Sequence, residues 1–73
     1  MSREIRSAVT GTVYQIDVAA GEQVKLGADL IILESMKMEI PIVAETDGTV
    51  IEVLCNEGDS VIEGQVLLMV DSD

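Results

Sequence analysis

Apolar and polar residues interleave along the chain with the two-residue period of half-buried strands. Val13, Gln15 and Asp17 alternate with Tyr14, Ile16 and Val18, and Val50 and Glu52 alternate with Ile51 and Val53. Short apolar runs such as Leu30-Ile31-Ile32-Leu33 recur along the chain, and no helical period competes. The pattern is also duplicated at an offset of 37 residues, without a gap. Gly11-Thr12-Val13 recurs as Gly48-Thr49-Val50, Gly21-Glu22-Gln23-Val24 as Gly58-Asp59-Ser60-Val61, and Leu30 to Ser35 as Leu67 to Ser72. The six glycines form three pairs, Gly11 with Gly48, Gly21 with Gly58 and Gly27 with Gly64. Each pair is expected at an equivalent turn needing permissive backbone angles. Four strands per half follow, near 2–7, 12–18, 22–25 and 29–35, then 39–44, 49–55, 59–62 and 66–71. The expected fold is all-β: a flattened barrel or sandwich of two antiparallel sheets, about eight short strands in all, related by a quasi-two-fold axis.

Composition narrows this picture. Seventy-three residues make one domain, 1–73, near the size at which burial barely offsets chain entropy. With no Phe, no Trp and one Tyr, the core has to be built from Val, Ile and Leu, which suit pleated surfaces. A formal charge of −10 with only four basic residues opposes binding to a phosphate backbone, so nucleic acid is not an expected partner. No apolar stretch approaches the roughly 20 residues of a membrane-spanning helix. The positive charges at Arg3 and Arg6 have no apolar region behind them, so the start does not read as a secretory signal. The single Cys cannot form an internal disulfide, and without His there is no zinc-like spacing. A monomer in the reducing cytoplasm is expected, with no metal site and no catalytic residue.

The candidate chemistry lies at the centre of the chain, in Glu34-Ser35-Met36-Lys37-Met38-Glu39. Strand-like runs on both sides make this a hairpin tip. The repeat maps Met36 onto Asp73 and Met38 onto Met1, which puts the tip and the chain ends at opposite poles. If Met36 and Lys37 form a two-residue turn, neither is the Asn or Gly that such turns prefer, and a local rule broken at one spot often marks function.

Ser35-Met36-Lys37-Met38 resembles the biotin attachment motif, a lysine between two methionines at a hairpin turn. Val9 to Val13, Gly21 to Val24, Asp47 to Val50 and Gly58 to Val61 extend the likeness over nearly the whole chain. The sequence is therefore similar to the biotinyl/lipoyl attachment domain family. The resemblance implies a non-catalytic carrier with biotin covalently held on Lys37, shuttling carboxylate between biotin carboxylase and carboxyltransferase sites as a swinging arm. It implies a biotin protein ligase that charges Lys37. Met36, Met38, Glu34, Ser35 and Glu39 are then the recognition residues, with the methionines offering soft, adaptable contacts. A lysine amine is neutral in only about one molecule in 10³ at pH 7, so the ligase must supply the base or the desolvation.

Two alternatives stand beside this reading. A lipoyl carrier, or a dual acceptor of biotin and lipoate, charged with lipoate by a lipoate-attaching enzyme, shares the fold and lysine position. Lipoyl motifs typically place Asp before the lysine and a small residue after it, where Met36 and Met38 stand here. An unmodified interaction module would leave the Met-Lys-Met tip without a purpose. Asp17-Val18-Ala19-Ala20 matches Leu54-Cys55-Asn56-Glu57 without insertion, so the protruding thumb of some carriers is not expected.

The remaining notable residues have plainer readings. Glu34 and Glu39 would face each other across the hairpin as a like-charge pair. Cys55 and Met69, which align with Val18 and Ile32, are expected in the core. Pro41, lacking a backbone donor, belongs on an edge or at a bulge near the hairpin. Asn56-Glu57-Gly58-Asp59 has too few ligands for calcium and reads as a β-turn.

Overall fold

In the computed structural model, residues 2–72 are described, and among them all regular structure is β. The strands are β1 (Ser2–Arg6), β2 (Gly11–Ile16), β3 (Gln23–Val24), β4 (Asp29–Ser35), β5 (Met38–Val43), β6 (Gly48–Val53), β7 (Ser60–Val61) and β8 (Val66–Ser72). They form two antiparallel four-stranded sheets, ordered β1-β8-β6-β3 and β5-β4-β2-β7. Adding 37 to the residue numbers of β1, β2, β3 and β4 leads to β5, β6, β7 and β8, and the same operation exchanges the two sheets.

The duplication extends to register. Ser2 pairs with Asp71 as Glu39 pairs with Glu34, and Ile5 pairs with Leu68 as Ile42 pairs with Ile31. Crossing hydrogen bonds tie the halves together in matched pairs. Val13 N–H donates to Asp59 O at 2.9 Å and Val50 N–H to Glu22 O at 2.8 Å. Gly21 N–H donates to Val50 O at 2.7 Å and Gly58 N–H to Val13 O at 2.8 Å. Each half completes the other's sheet, so neither is expected to fold alone.

The core lies between the sheets and is aliphatic. Leu30, Ile31, Leu33, Leu67 and Leu68 are fully buried, with Val13, Val50, Val61 and Val70 beside them. Each such side chain contributes on the order of 1.5–3 kcal/mol by leaving water. Cys55 is buried among them, as its alignment with Val18 predicts. Pro41 lies on β5, an edge strand of its sheet, where its missing donor costs no ladder bond.

Four expectations are corrected. The third strand of each half has shrunk to two residues, Gln23–Val24 and Ser60–Val61. Alternation is broken in β2 and β6 by register shifts between Val13 and Gln15 and between Val50 and Glu52. These β-bulges let Val13 and Ile16 both turn inward, and likewise Val50 and Val53, while Tyr14 and Ile51 face solvent. The added bend curls each sheet over the core. Met69 is only half-buried. Of the glycine pairs, Gly21/Gly58 and Gly27/Gly64 do have positive φ, between 86° and 91°, but Gly11 and Gly48 do not. Those two are needed for room, because a Cβ would run into the backbone carbonyls of Glu34 and Asp71, respectively. The opposition of the lysine tip to the chain ends rests on Met1 and Asp73, which lie outside the described residues.

Candidate functional site

The lysine hairpin grows out of the best-anchored strand of its sheet. β4 lies between β2 and β5, and Leu30, Ile31 and Leu33 bury its lower part. A slip of one residue would turn these side chains to solvent, so the register at the tip is held from below. Above Leu33↔Ile40 the ladder leaves the core and continues as Glu34↔Glu39 and Ser35↔Met38. Met36 and Lys37 make the connection, with φ of 52° and 65°. Both values are left-handed, the signature of a type I′ turn, whose twist matches that of the flanking strands. Held by non-glycine residues, this conformation costs on the order of 1–2 kcal/mol per residue. The strands below impose it.

A second support comes from across the sheet. Ser35 Oγ donates to Thr10 O at 2.9 Å, and the backbone of Gly11 lies directly against that of Glu34. Thr10 is itself fixed, because its Oγ1 accepts from Glu63 N–H at 3.1 Å. Thr10 and Gly11 thus position the base of the hairpin, a role not read from the sequence. The repeat held the signal: Gly11 and Gly48 recur in step at the start of β2 and β6, where no turn needs them.

At the tip the structure brings together the residues singled out from the sequence. Lys37 is exposed and, among the described residues, makes no side-chain hydrogen bond or ion pair. Met36 is 92% exposed and Met38 65%, an arrangement the hydrophobic effect opposes. Glu34 and Glu39 are exposed, and Ser35 is half-buried on its bond to Thr10. The site is therefore a primary amine on a constrained turn, flanked by two thioethers, and among the described residues no side chain is bonded to it to take its proton. Such an amine is open to acylation by an enzyme.

A groove between the edge strands β1 and β5 is lined by residues including Arg3, Ile5, Pro41 and Ile42, and by none of Glu34 to Glu39. Arg6 at its rim is already engaged, to Gly64 O at 2.7 Å and to Glu4 at 2.6 Å. Among the described residues, no three carboxylate or thiol groups converge as metal ligands. Burial, and secondarily the charge of Asp59, push the Cys55 thiol above its ordinary pKa. That is the opposite of what a nucleophile needs. No helix among the described residues is long and apolar enough to cross a membrane.

Comparison with known proteins agrees with this geometry. The biotin/lipoyl family model, described as "Biotin-requiring enzyme", matches residues 1–70. The biotin/lipoyl attachment protein of Bacillus subtilis is 53% identical over 60 residues, covering 82% of each chain. A protein of Mycobacterium leprae named as a homolog of biotinylated protein TB7.3 is 34% identical over 70 residues, covering 96% of this chain and 99% of that one. Among solved structures, a single-chain, multi-domain long-chain acyl-CoA carboxylase superposes with a TM-score of 0.93 at 29% identity. That match covers 99% of this chain but only 7% of the carboxylase. With two interlocked four-stranded sheets and a lysine hairpin between matched halves, the chain belongs to the biotin/lipoyl attachment domain family.

Proposed function

We propose that residues 1–73 form one biotin carrier domain, with biotin held in amide linkage on Lys37 and no catalytic role of its own. The observation that carries this is the tip itself: a partner-free amine at the apex of a left-handed two-residue turn, between two exposed methionines. In charging, the neutral amine of Lys37 attacks the carbonyl carbon of an activated biotinyl adenylate. The C–N bond forms, AMP leaves, and the ligase accepts both protons, one lost by the ammonium before attack and one by the same nitrogen as the amide forms. Met36 and Met38 supply apolar contact to the ligase and later to the carboxylase sites, while Glu34, Ser35 and Glu39 shape the hairpin stem.

Bound biotin supplies the carboxyl-carrying chemistry. This chain supplies placement. A lysine side chain extended by biotin reaches on the order of 10–15 Å, at backbone-like bond lengths. The rigid sheets behind it carry the arm between a biotin carboxylase and a carboxyltransferase. Relatives named as carboxylases support these partners. The buried, unpaired Cys55 suits a reducing compartment, and we place the protein in the cytoplasm as a monomer.

The test is carriage itself. Biotin-charged protein, incubated with a biotin carboxylase, ATP and labelled bicarbonate, is expected to take up label that is absent from uncharged protein. Charged protein that never acquires label would contradict the carrier reading.

The name of the Bacillus subtilis relative, which couples biotin with lipoyl, favours a second reading in which lipoate is also accepted. Replacing Met36 by Asp and Met38 by Ala then shifts the ratio of initial charging rates away from a biotin ligase and toward a lipoate-attaching enzyme. A carboxylate at position 36 has to be desolvated without a partner in a site fitted to thioethers. Equal biotinylation of both proteins would mean that the methionines do not carry the distinction.

A further inference from the structure

The two most exposed sulfur side chains of the described chain flank the one amine proposed to be acylated. Met36 is 92% and Met38 65% exposed, whereas Met69 is half-buried in β8 and Cys55 is buried. Thioether oxidation follows access, because the oxidant must reach the sulfur lone pair. The left-handed turn allows Met36 no retreat: its backbone is held at the apex, where no described strand covers it. Met38 sits opposite Ser35 in the last rung of an edge strand.

We propose that Met36 and Met38 are sites of reversible sulfoxidation by hydroperoxides, and that this modification lowers charging of Lys37. The inference rests on the reading of Lys37 as the acceptor. In the step, a thioether sulfur attacks the distal oxygen of hydrogen peroxide. The S–O bond forms as the O–O bond breaks, and the departing hydroxide takes the remaining proton to leave as water. Sulfur is oxidised by two electrons and the peroxide is reduced by two. The product replaces a soft apolar side chain with a strongly polar, chiral one. A ligase surface fitted to two thioethers then faces two sulfoxide oxygens that it must desolvate without partners. Lys37 keeps its amine and its turn, so the effect falls on recognition rather than on the nucleophile. Methionine sulfoxide reductases, which remove the added oxygen, reverse it.

The experiment uses the whole uncharged chain, hydrogen peroxide as the oxidant, and peptide mass mapping followed by charging with a biotin ligase. Mass gains of one oxygen are expected at Met36 and Met38 well before Met69, with circular dichroism unchanged. The initial rate of biotinylation is expected to fall at least several-fold and to return after treatment with methionine sulfoxide reductases. The Met36→Leu, Met38→Leu protein, which retains apolar flanks, is expected to charge at a rate that peroxide does not alter. Equal rates before and after oxidation at Met36 and Met38 would overturn the proposal while leaving Lys37 as the acceptor. So would a peroxide effect that persists in the double leucine variant. Failure of the untreated protein to be charged at Lys37 would instead remove the underlying reading, and the proposal with it.

Discussion

Glu34 and Glu39 stand directly opposite one another on β4 and β5, one rung below Ser35↔Met38 and the turn that carries Lys37. Like charges in direct cross-strand register destabilise a hairpin by about 0.2–1 kcal/mol, and the Lys37 ammonium makes no ion pair to offset them. The Glu39→Gln protein is therefore expected to be more stable, by a few tenths of a kcal/mol up to about 1. The gain should shrink in high salt, which screens exposed charges. Urea midpoints at low and high ionic strength check both statements.

The matched glycines make a sharper case. A Cβ at Gly11 would collide with the carbonyl of Glu34, and one at Gly48 with that of Asp71. Backbone cannot move aside as a side-chain end can, so Gly11→Ala and Gly48→Ala are each expected to cost about 1–3 kcal/mol. The two should differ in function. Gly11 lies under the lysine hairpin, whereas Gly48 lies under the equivalent end of β8. Charging of the folded protein should slow for Gly11→Ala and stay near normal for Gly48→Ala. Urea unfolding beside initial charging rates separates these effects.

Cys55 yields a prediction about pH. Its thiol is pushed above the ordinary range first by burial and then by Asp59, so the folded state holds this proton more tightly than the unfolded state does. Between the unfolded and folded pKa values the unfolded chain binds fewer protons, and stability must fall as pH rises through that window. Below the ordinary thiol pKa the contribution is fully present. Unfolding midpoints are expected to drop on going from neutral into alkaline pH, and Cys55→Ala should flatten that part of the profile. Alkylation of the native thiol near pH 8 should be much slower than alkylation of unfolded protein.

Much of this was legible in the sequence because the duplication is nearly unbroken. Two antiparallel sheets of about eight strands related by a quasi-two-fold axis follow from two equivalent halves that must cover each other, whereas the order of strands within each sheet does not. The bulges were not legible. Val13 to Val18 alternates cleanly on paper, and only the register imposed by Leu33 and Ile32 on the neighbouring strand shows that Tyr14 is the residue pushed out. At the site, Lys37 and its flanks were visible as a local motif, but the left-handed turn was not, because Met36 and Lys37 are not the Asn or Gly that such turns prefer. The contribution of Thr10 and Gly11 was hidden because it depends on contacts about 25 residues distant in sequence, which no local pattern encodes.

Lys37, and not Lys25, is the proposed acceptor. Both lysines are exposed and lie outside the strands, but Lys25 starts a turn closed by Ala28 N–H to Lys25 O at 2.9 Å and lacks flanking methionines. Intact-mass measurement after co-expression with a biotin ligase distinguishes the two lysines, on the unaltered protein and on its Lys37→Arg and Lys25→Arg variants. A surface substitution away from packing leaves the fold intact, so loss of charging would report the site itself. The mass gain of a single biotin is expected for the unaltered protein and for Lys25→Arg, with none for Lys37→Arg. A biotin-sized gain on the Lys37→Arg protein would show that biotin is attached elsewhere than at Lys37.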